Sequence, residues 1–200
     1  MSGDHYFSSS PGGDLKPRTI SVRLAGREVE VVTAGGVFSP GHIDQGTQIL
    51  LKTVPEPPET GDLLDLGCGW GPIALTLALL SPHAKVWATD VNERALDLVR
   101  ANAEKMSMSN IVAALPGNLP SDVRFATIWS NPPIRVGKTE LHDMLDLWLP
   151  RLTPEGDAWL VIAKHLGAES LQRWLETERG WAVTREENSK GFRVLRVAHA

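Results

Sequence analysis

The stretch LLDLGCGWGPIAL, residues 63–75, decides the fold class of this 200-residue chain. Its first part is a short apolar run that contains one acidic residue, Asp65, and its last part is an apolar run that begins after Pro72. Between the two runs lie three alternating glycines, Gly67, Gly69 and Gly71. Glycine lets the backbone turn sharply and approach a ligand closely, and the N-terminus of a helix favours an anion. The stretch therefore predicts a strand, a ligand-binding turn and a helix.

Strand and helix signals alternate around this turn. Strands are predicted at Asp62–Leu66, Lys85–Thr89, Ile111–Leu115, Ala126–Trp129 and Ala158–Ala163. Helices are predicted at Gly71–Leu80, Asn92–Met106, Glu140–Arg151 and Glu169–Glu178, with Asn92 as an N-cap. An antiparallel hairpin, Trp181–Arg185 with Phe192–Val197, follows them. Such alternation favours a sheet covered on both faces. We expect an α/β fold, doubly wound, with a mainly parallel seven-stranded sheet.

The first 60 residues follow a different pattern. Residues 1–18 are rich in Ser, Gly and Pro, and residues 20–31 alternate as in a β-hairpin that turns at Ala25-Gly26. The loop GVFSPGHIDQG, residues 36–46, then leads to a short helix predicted at Thr47–Thr53. We expect one domain over residues 1–200, with residues 1–60 as an N-terminal extension and residues 61–200 as the core.

The glycine turn has an acidic partner on the next strand. The series Asp-Leu-Gly-Cys-Gly-Trp-Gly resembles motif I of the class I S-adenosylmethionine (SAM) methyltransferases, which implies a Rossmann-like sheet and SAM as the cofactor. Asp90 is the last residue of the segment KVWATD and would accept hydrogen bonds from the ribose, each worth roughly 1.5–3 kcal/mol. Val91 would cover one face of the adenine. The resemblance implies these cofactor-binding residues: Asp65, Gly67, Cys68, Gly69, Gly71, Asp90, Val91, Asn118, Leu119 and Asn131. Asn118 stands where the family often has an acidic residue.

A second motif, SNPPIRVGK at residues 130–138, ends a predicted strand with a stiff elbow. Each proline fixes its own φ and keeps the preceding residue out of the helical region. The Asn131 side-chain oxygen and neighbouring carbonyls can therefore face one point in space. Acceptors placed in this way suit an –NH2 group and expose its nitrogen lone pair, so catalysis would rest on orientation and electrostatics.

The elbow resembles motif IV, (D/N)-P-P-(Y/F), of the methyltransferases that act on amino groups. That resemblance implies the catalytic residues Asn131, Pro132, Pro133 and Ile134, with isoleucine where the family has a stacking aromatic side chain. The matches extend further along the chain, to HYFSSSP, GVFS…D-x-G-T and the late G-F-R-V-L. These segments are similar to the methyltransferase small-domain family, in its short single-domain form. The enzymes that methylate guanine N2 in small-subunit ribosomal RNA typify this family.

This family resemblance implies the substrate and its contacts. The substrate-side residues would be Phe38, Asp44, Thr47, Arg135 and Lys138, the last two as phosphate contacts. The net charge of −4 does not favour binding to naked nucleic acid through phosphates alone, so a local basic patch or a ribosomal subunit as substrate is expected. The single cysteine and the absence of a signal-peptide pattern or a bilayer-spanning apolar run suggest a cytoplasmic protein without membrane attachment.

The six histidines are scattered without ligand spacing, so no metal site is expected.

The sequence leaves two alternative functions open. A protein glutamine-amide methyltransferase also uses the Asn-Pro-Pro elbow, although usually with tyrosine in the fourth position. A SAM-binding regulatory domain without turnover is a second alternative, because Asn118 and Ile134 depart from the family pattern. The oligomeric state is left open.

Overall fold

The computed structural model describes residues 16–132 and 137–200. The main sheet has seven strands in the order β5-β4-β3-β6-β7-β9-β8. The strands are β3 (Asp62–Leu66), β4 (Lys85–Thr89), β5 (Ile111–Ala114), β6 (Phe125–Ser130), β7 (Leu152–Ala163), β8 (Ala182–Ser189) and β9 (Phe192–Ala198). The helices are α1 (Gln45–Thr53), α2 (Pro72–Leu80), α3 (Glu93–Lys105), α4 (Lys138–Trp148) and α5 (Ala168–Thr177). The hairpin of β1 (Arg18–Leu24) and β2 (Arg27–Thr33) forms a separate two-stranded sheet.

The strand directions confirm the predicted fold class. Strands β3 to β7 pair in parallel, and β9 pairs antiparallel with β7 and with β8. From β3 the chain moves outward to β4 and β5 and then returns to place β6 on the other side of β3. In open α/β sheets, ligands bind beyond the carboxyl ends of the strands at such a switch point. A ligand site is therefore expected at the carboxyl ends of β3 and β6.

Apolar side chains cover both faces of the sheet. On one face, Leu141 and Leu145 of α4 and Leu171 of α5 pack on the strands. On the other face, α1, α2 and α3 do so, for example through Leu50 and Leu77. Helix α2 is buried over most of its length because the N-terminal hairpin covers the side that faces away from the sheet. These layers hold the strand ends of the switch point in fixed positions.

The N-terminal hairpin is attached to α3 by one buried amide. The Asn102 side chain accepts a 2.6 Å hydrogen bond from the Val32 N–H and donates to the carbonyls of Val32 and Trp70 at 2.9 and 3.2 Å. Around it, Leu24 and Val31 of the hairpin contact a cluster that includes Leu98. The hairpin is therefore packed on the core and does not project from it.

Several element boundaries differ from the predicted ones. Helix α4 begins at Lys138 and ends at Trp148, and a 3-10 turn covers 149–151 because Pro150 has no N–H with which to continue an α-helix. Strand β7 begins at Leu152 rather than Ala158, and β8 continues to Ser189. Leu152 and Asp157 of the β7 extension pair with β6, and Glu187 to Ser189 of the β8 extension pair with β9. This pairing overrides the weak strand propensity of the polar residues among them. The prediction of Asn92 as an N-cap is confirmed, since its side chain accepts from the Arg94 N–H.

Within residues 16–132 and 137–200, no helix is long and apolar enough to cross a membrane. No group of three or more His, Cys, Asp or Glu side chains in these two ranges could hold a metal ion.

Candidate active site

One buried hydroxyl joins the two strand ends at the switch point. Ser130, the last residue of β6, donates a 2.6 Å hydrogen bond to the carbonyl of Leu66, the last residue of β3. The next residues along these strands are Gly67 and Asn131. The glycine turn and the amide of the elbow therefore begin side by side at the carboxyl edge of the sheet.

The glycine turn is held by backbone hydrogen bonds to the end of β4. The N–H groups of Gly67 and Cys68 donate to the Thr89 carbonyl at 2.9 and 3.0 Å. Gly67, Gly69 and Gly71 all have positive φ, which non-glycine residues adopt with strain. A Cβ on Gly71 would lie 2.9 Å from Cγ2 of Val99, whereas a Cβ on Gly69 would meet no atom within 4 Å from the described residues other than its chain neighbours. Gly71 thus serves the packing of α2 on α3, and Gly69 borders open space.

Asp65 lies beneath the turn and away from the surface. Its side chain is fully buried, and Oδ2 accepts a 2.8 Å hydrogen bond from the Ala74 N–H in the first turn of α2. Oδ1 has no hydrogen-bond partner within the described residues. Burial raises the pKa of Asp65 to about 8, and the nearby Asp90 adds to the increase. Asp65 therefore fixes the start of α2 from below.

Asp90 holds the turn from the opposite side. Its Oδ2 accepts from the Gly69 N–H at 3.0 Å, and its Oδ1 accepts from the Asn92 N–H at 2.9 Å. Burial raises the pKa of Asp90, although the hydrogen bonds from these backbone N–H groups oppose the increase. Each carboxylate oxygen has a second lone pair, so both can still accept from a ligand hydroxyl.

A cavity of about 270 Å³ opens above the turn, close to the lower end of the range for small-molecule sites, roughly 300 Å³. Its wall combines the glycine turn, the Asp90 carboxylate and the first residues of the elbow with apolar side chains. At its mouth, Phe38 and Val91 are 58% and 59% exposed. The lining residues are Val37, Phe38, Leu66, Gly67, Gly69, Thr89, Asp90, Val91, Asn92, Ala95, Pro116, Asn131, Pro132, Met144 and Trp148.

The loop that carries Phe38 is anchored to the core at three points. The Asn92 side chain donates to the Gly36 carbonyl at 2.9 Å, and Arg94 donates to the Gly35 carbonyl at 3.1 Å. The Trp70 indole N–H donates to the Ser39 carbonyl at 3.1 Å. These contacts to α3 and to the glycine turn hold the N-terminal extension against the cavity.

Asn131 faces both the cavity and helix α1. Its side-chain nitrogen donates to Asp44 Oδ2 and to Thr47 Oγ1, each at 3.0 Å. A smaller cavity of about 20 Å³ lies on this side and is lined by Phe38, Asp44, Thr47, Cys68 and Asn131 among others. Asn131 thus separates the larger cavity from a recess formed by the N-terminal extension.

The structure brings together many of the predicted site residues. Gly67, Gly69, Asp90, Val91, Phe38, Asn131 and Pro132 line the larger cavity, and Cys68, Asp44 and Thr47 line the smaller one. Asp65, Gly71, Asn118, Leu119 and Lys138 line neither of the two; Asn118 is exposed, Leu119 is buried, and Lys138 borders a depression between α4 and α5. The predictions for Pro133, Ile134 and Arg135 lie outside the described residues.

Other lining residues carry no sequence signal for a site. Met144 and Trp148 are four residues apart on α4, which is the spacing of an ordinary core-facing helix surface. Trp148 is indeed buried, and it also forms part of the cavity wall. Cys68 is buried as well, and burial raises the pKa of its thiol well above the usual value. A thiol in this state is a poor nucleophile, so Cys68 serves packing.

Comparison with known proteins identifies the family. The profile of the methyltransferase small domain matches residues 28–196, which is most of the chain. The chain therefore belongs to the methyltransferase small-domain family. An uncharacterised protein of Bacillus subtilis, YbxB, is 35% identical to this chain over 197 residues. The alignment covers 97% of this chain and 98% of YbxB.

Two named relatives are longer proteins. The ribosomal RNA small subunit methyltransferase C of Hahella chejuensis is 32% identical over 205 residues, which cover 97% of this chain and 58% of that protein. The Thermus thermophilus 16S rRNA N2 G1207 methyltransferase, solved with AdoMet (SAM) and guanosine, aligns with a TM-score of 0.80 and 27% identity. That alignment covers 95% of this chain and 52% of the other. The chain thus spans about half the length of these relatives.

Proposed function

We propose that this chain is a SAM-dependent N-methyltransferase that acts on an exocyclic amino group, guanine N2 of ribosomal RNA being the substrate that its relatives indicate. The observation that carries the proposal is the position of Asn131. Its amide lies next to the glycine turn, borders the cavity and has both N–H groups engaged on the side of α1. The carbonyl oxygen is the part of this amide that can accept a hydrogen bond from an amino group.

The residues around the cavity fit SAM. Gly69 leaves open space where a side chain would stand, which suits the close approach of a cofactor to the backbone. Asp90 lies at the end of β4 with acceptor capacity left for ribose hydroxyls. Val91, Phe38 and Trp148 offer apolar surface to a flat base. When bound, SAM supplies an electrophilic methyl group on a sulfonium.

The chain itself supplies orientation and charge. Asn131 Oδ1 would accept a hydrogen bond from the substrate –NH2. This bond would turn the N–H bonds of the substrate away from the cavity, so that the lone pair of its nitrogen faces the cavity. The nitrogen becomes positively charged as it gains the methyl group, and an acceptor oxygen stabilises that charge. The proton then leaves the alkylated nitrogen without help from a strong base. Phe38, exposed at the mouth of both cavities, provides a face for a planar substrate.

The choice of ribosomal RNA rests on the relatives. Two of them are named for small-subunit rRNA methylation, and one of these is described with guanosine bound. The net charge of −4 supports a ribosomal subunit, located in the cytoplasm, over naked RNA as the substrate. A duplexed target base would have to be flipped out of its helix to reach Asn131.

The test is methyl transfer from tritiated SAM to three acceptors: small ribosomal subunits, naked rRNA and release-factor protein. Label in subunits, recovered as N2-methylguanosine after nucleoside analysis, is the expected result. Label in a glutamine side chain would favour the amide methyltransferase instead, and SAM binding without any transfer would favour a regulatory domain.

The Asn131→Ala variant adds a test of the site. Turnover should fall by roughly 100-fold or more, as when a single positioned polar group is removed from other enzymes. SAM affinity, measured by calorimetry, should change little. Unchanged turnover of the variant would contradict the role given to Asn131.

A further inference from the structure

We propose that Asp44 and Thr47 are positioning residues that fix the Asn131 side chain with its carbonyl oxygen towards the substrate. The inference rests on the proposed function, because it assigns a task to Asn131 in methyl transfer. Asp44 and Thr47 act on the substrate only through this amide. They lie 87 and 84 residues before it in the chain and belong to a different element.

The hydrogen-bonding chemistry allows one orientation of the amide. Asp44 Oδ2 and Thr47 Oγ1 each lie 3.0 Å from Asn131 Nδ2, so both amide hydrogens have acceptors. A rotation of the amide by half a turn would place its oxygen against the Asp44 oxygen. An ionised carboxylate can only accept, so that contact would be repulsive. The nitrogen is therefore held towards α1, and Oδ1 is directed away from α1.

The same contacts make the oxygen a better acceptor. A carboxylate that accepts from an amide N–H draws the hydrogen towards itself, and the electron density on the amide oxygen increases. The Asp44 charge also lies beside the group that would contact the substrate nitrogen. A negative charge at this place opposes the positive charge that develops on that nitrogen during methyl transfer.

Asp44 and Thr47 are placed by the first turn of a helix. Asp44 is the N-cap of α1, and its Oδ2 also accepts a 2.8 Å hydrogen bond from the Gly46 N–H. Thr47 follows three residues later, which puts both side chains on the same side of the helix, and it is only 3% exposed. A Cβ on Gly46 would lie 3.0 Å from both the Phe192 ring and the Asp44 oxygen. The missing side chain thus lets α1 lie close against β9.

A matched pair at position 47 tests the proposal. Thr47→Val keeps the shape of the buried side chain but removes the acceptor, whereas Thr47→Ser keeps the acceptor. We expect Thr47→Val to lower kcat roughly 10- to 100-fold, as misplacement of a reacting group does, with SAM affinity and KM for the acceptor nearly unchanged. Thr47→Ser should retain most of kcat. Equal kcat for the wild type and Thr47→Val would overturn the proposal.

A second readout does not depend on activity. In 15N spectra, the Asn131 side-chain amide hydrogens should exchange slowly with water in the wild type and in Thr47→Ser, and markedly faster in Thr47→Val. The Asn131→Asp variant, which lacks this pair of signals, assigns them. Fast exchange in the wild type would overturn the positioning role. If the wild type transfers no methyl group to any acceptor, the proposed function fails, while the exchange rates still decide whether the amide is fixed.

Discussion

The Ser130 hydroxyl donates a 2.6 Å hydrogen bond to the Leu66 carbonyl, and this contact is buried at the carboxyl edge of the sheet. It joins the residue before the glycine turn to the residue before Asn131. The cofactor site proposed after β3 and the catalytic amide proposed after β6 would need such a fixed relation, because an error of about 1 Å in the position of a reacting group costs roughly 100-fold in rate.

Removal of this hydroxyl should weaken both fold and site. Ser130→Ala leaves the Leu66 carbonyl without its donor, which should lower the free energy of unfolding by about 1–3 kcal/mol. Because the residue before the glycine turn then loses its side-chain hydrogen bond to β6, SAM affinity should fall as well. Urea unfolding and calorimetry with SAM measure the two effects.

Thr127→Val is the matched control for Ser130→Ala. Thr127 is also on β6, and its hydroxyl contacts the carbonyl and side chain of Asp157, on the neighbouring strand. This variant should lose a similar amount of stability but retain SAM affinity. If Ser130→Ala binds SAM as tightly as Thr127→Val does, the tie to Leu66 does not shape the site.

The glycines of the turn should respond differently to alanine. At Gly69 the new Cβ would meet no non-neighbouring atom within 4 Å in residues 16–132 and 137–200, so Gly69→Ala should stay folded, with a cost of about 1–3 kcal/mol for its positive φ. The new methyl group would stand beside the cavity, and SAM affinity should fall at least tenfold. At Gly71 the Cβ would be 2.9 Å from Val99, so Gly71→Ala should instead show a larger loss of thermal stability. Equal effects of the two variants on melting and binding would contradict this division.

The buried Asp65 should make stability depend on pH. Its pKa is raised to about 8 in the folded protein from an ordinary value of 3.8, so the folded state binds more protons than the unfolded state between these limits. The stabilisation from this carboxyl is complete below about pH 4 and is lost as the pH rises towards 8. The slope from this one group is at most roughly 1.4 kcal/mol per pH unit.

Asp65→Asn removes this titration, and its amide oxygen can still accept from Ala74. The free energy of unfolding should therefore decline less between pH 5 and pH 8 in Asp65→Asn than in the wild type, as measured by urea unfolding at several pH values. Asp143→Asn, which removes an exposed carboxyl group of α4, serves as the control for the exchange of an acid for an amide. Parallel profiles for the wild type and Asp65→Asn would show that Asp65 is ionised throughout this range.

The fold could be predicted because its signals are local. The residue pattern that predicts each strand or helix of the core lies within about ten residues of sequence. The N-cap Asn92, for example, directly precedes the helix that it begins. Parallel pairing then follows from the alternation of strands and helices. The limits of β7 and β8 could not be predicted from local patterns. Both strands include polar residues that have little strand propensity of their own and that pair with neighbouring strands.

The site could be predicted only in part for a related reason. The glycine turn and the elbow are motifs, and the structure brings the glycine turn and the first elbow residues, Asn131 and Pro132, to one cavity. A motif does not state which way each side chain points, and Asp65 turns inward while Asp90 faces the cavity. The contact between Asn131 and Asp44 joins residues 87 positions apart, so it follows from the packing of α1 and not from any local pattern.

The contact of α1 with β9 bears on the order of events during synthesis. The first turn of α1 lies against Phe192, and β9 is inserted between β7 and β8 although it follows both in the chain. A nascent chain that has emerged only as far as α5 already carries Asp44, Asn131 and the strand β7 on which α1 packs, but it lacks β9, a second strand that contacts α1. The Asn131 amide, for which we propose a catalytic role, therefore acquires its final support late in translation, and shortened chains that stop before β9 should bind cofactor better than they turn over substrate.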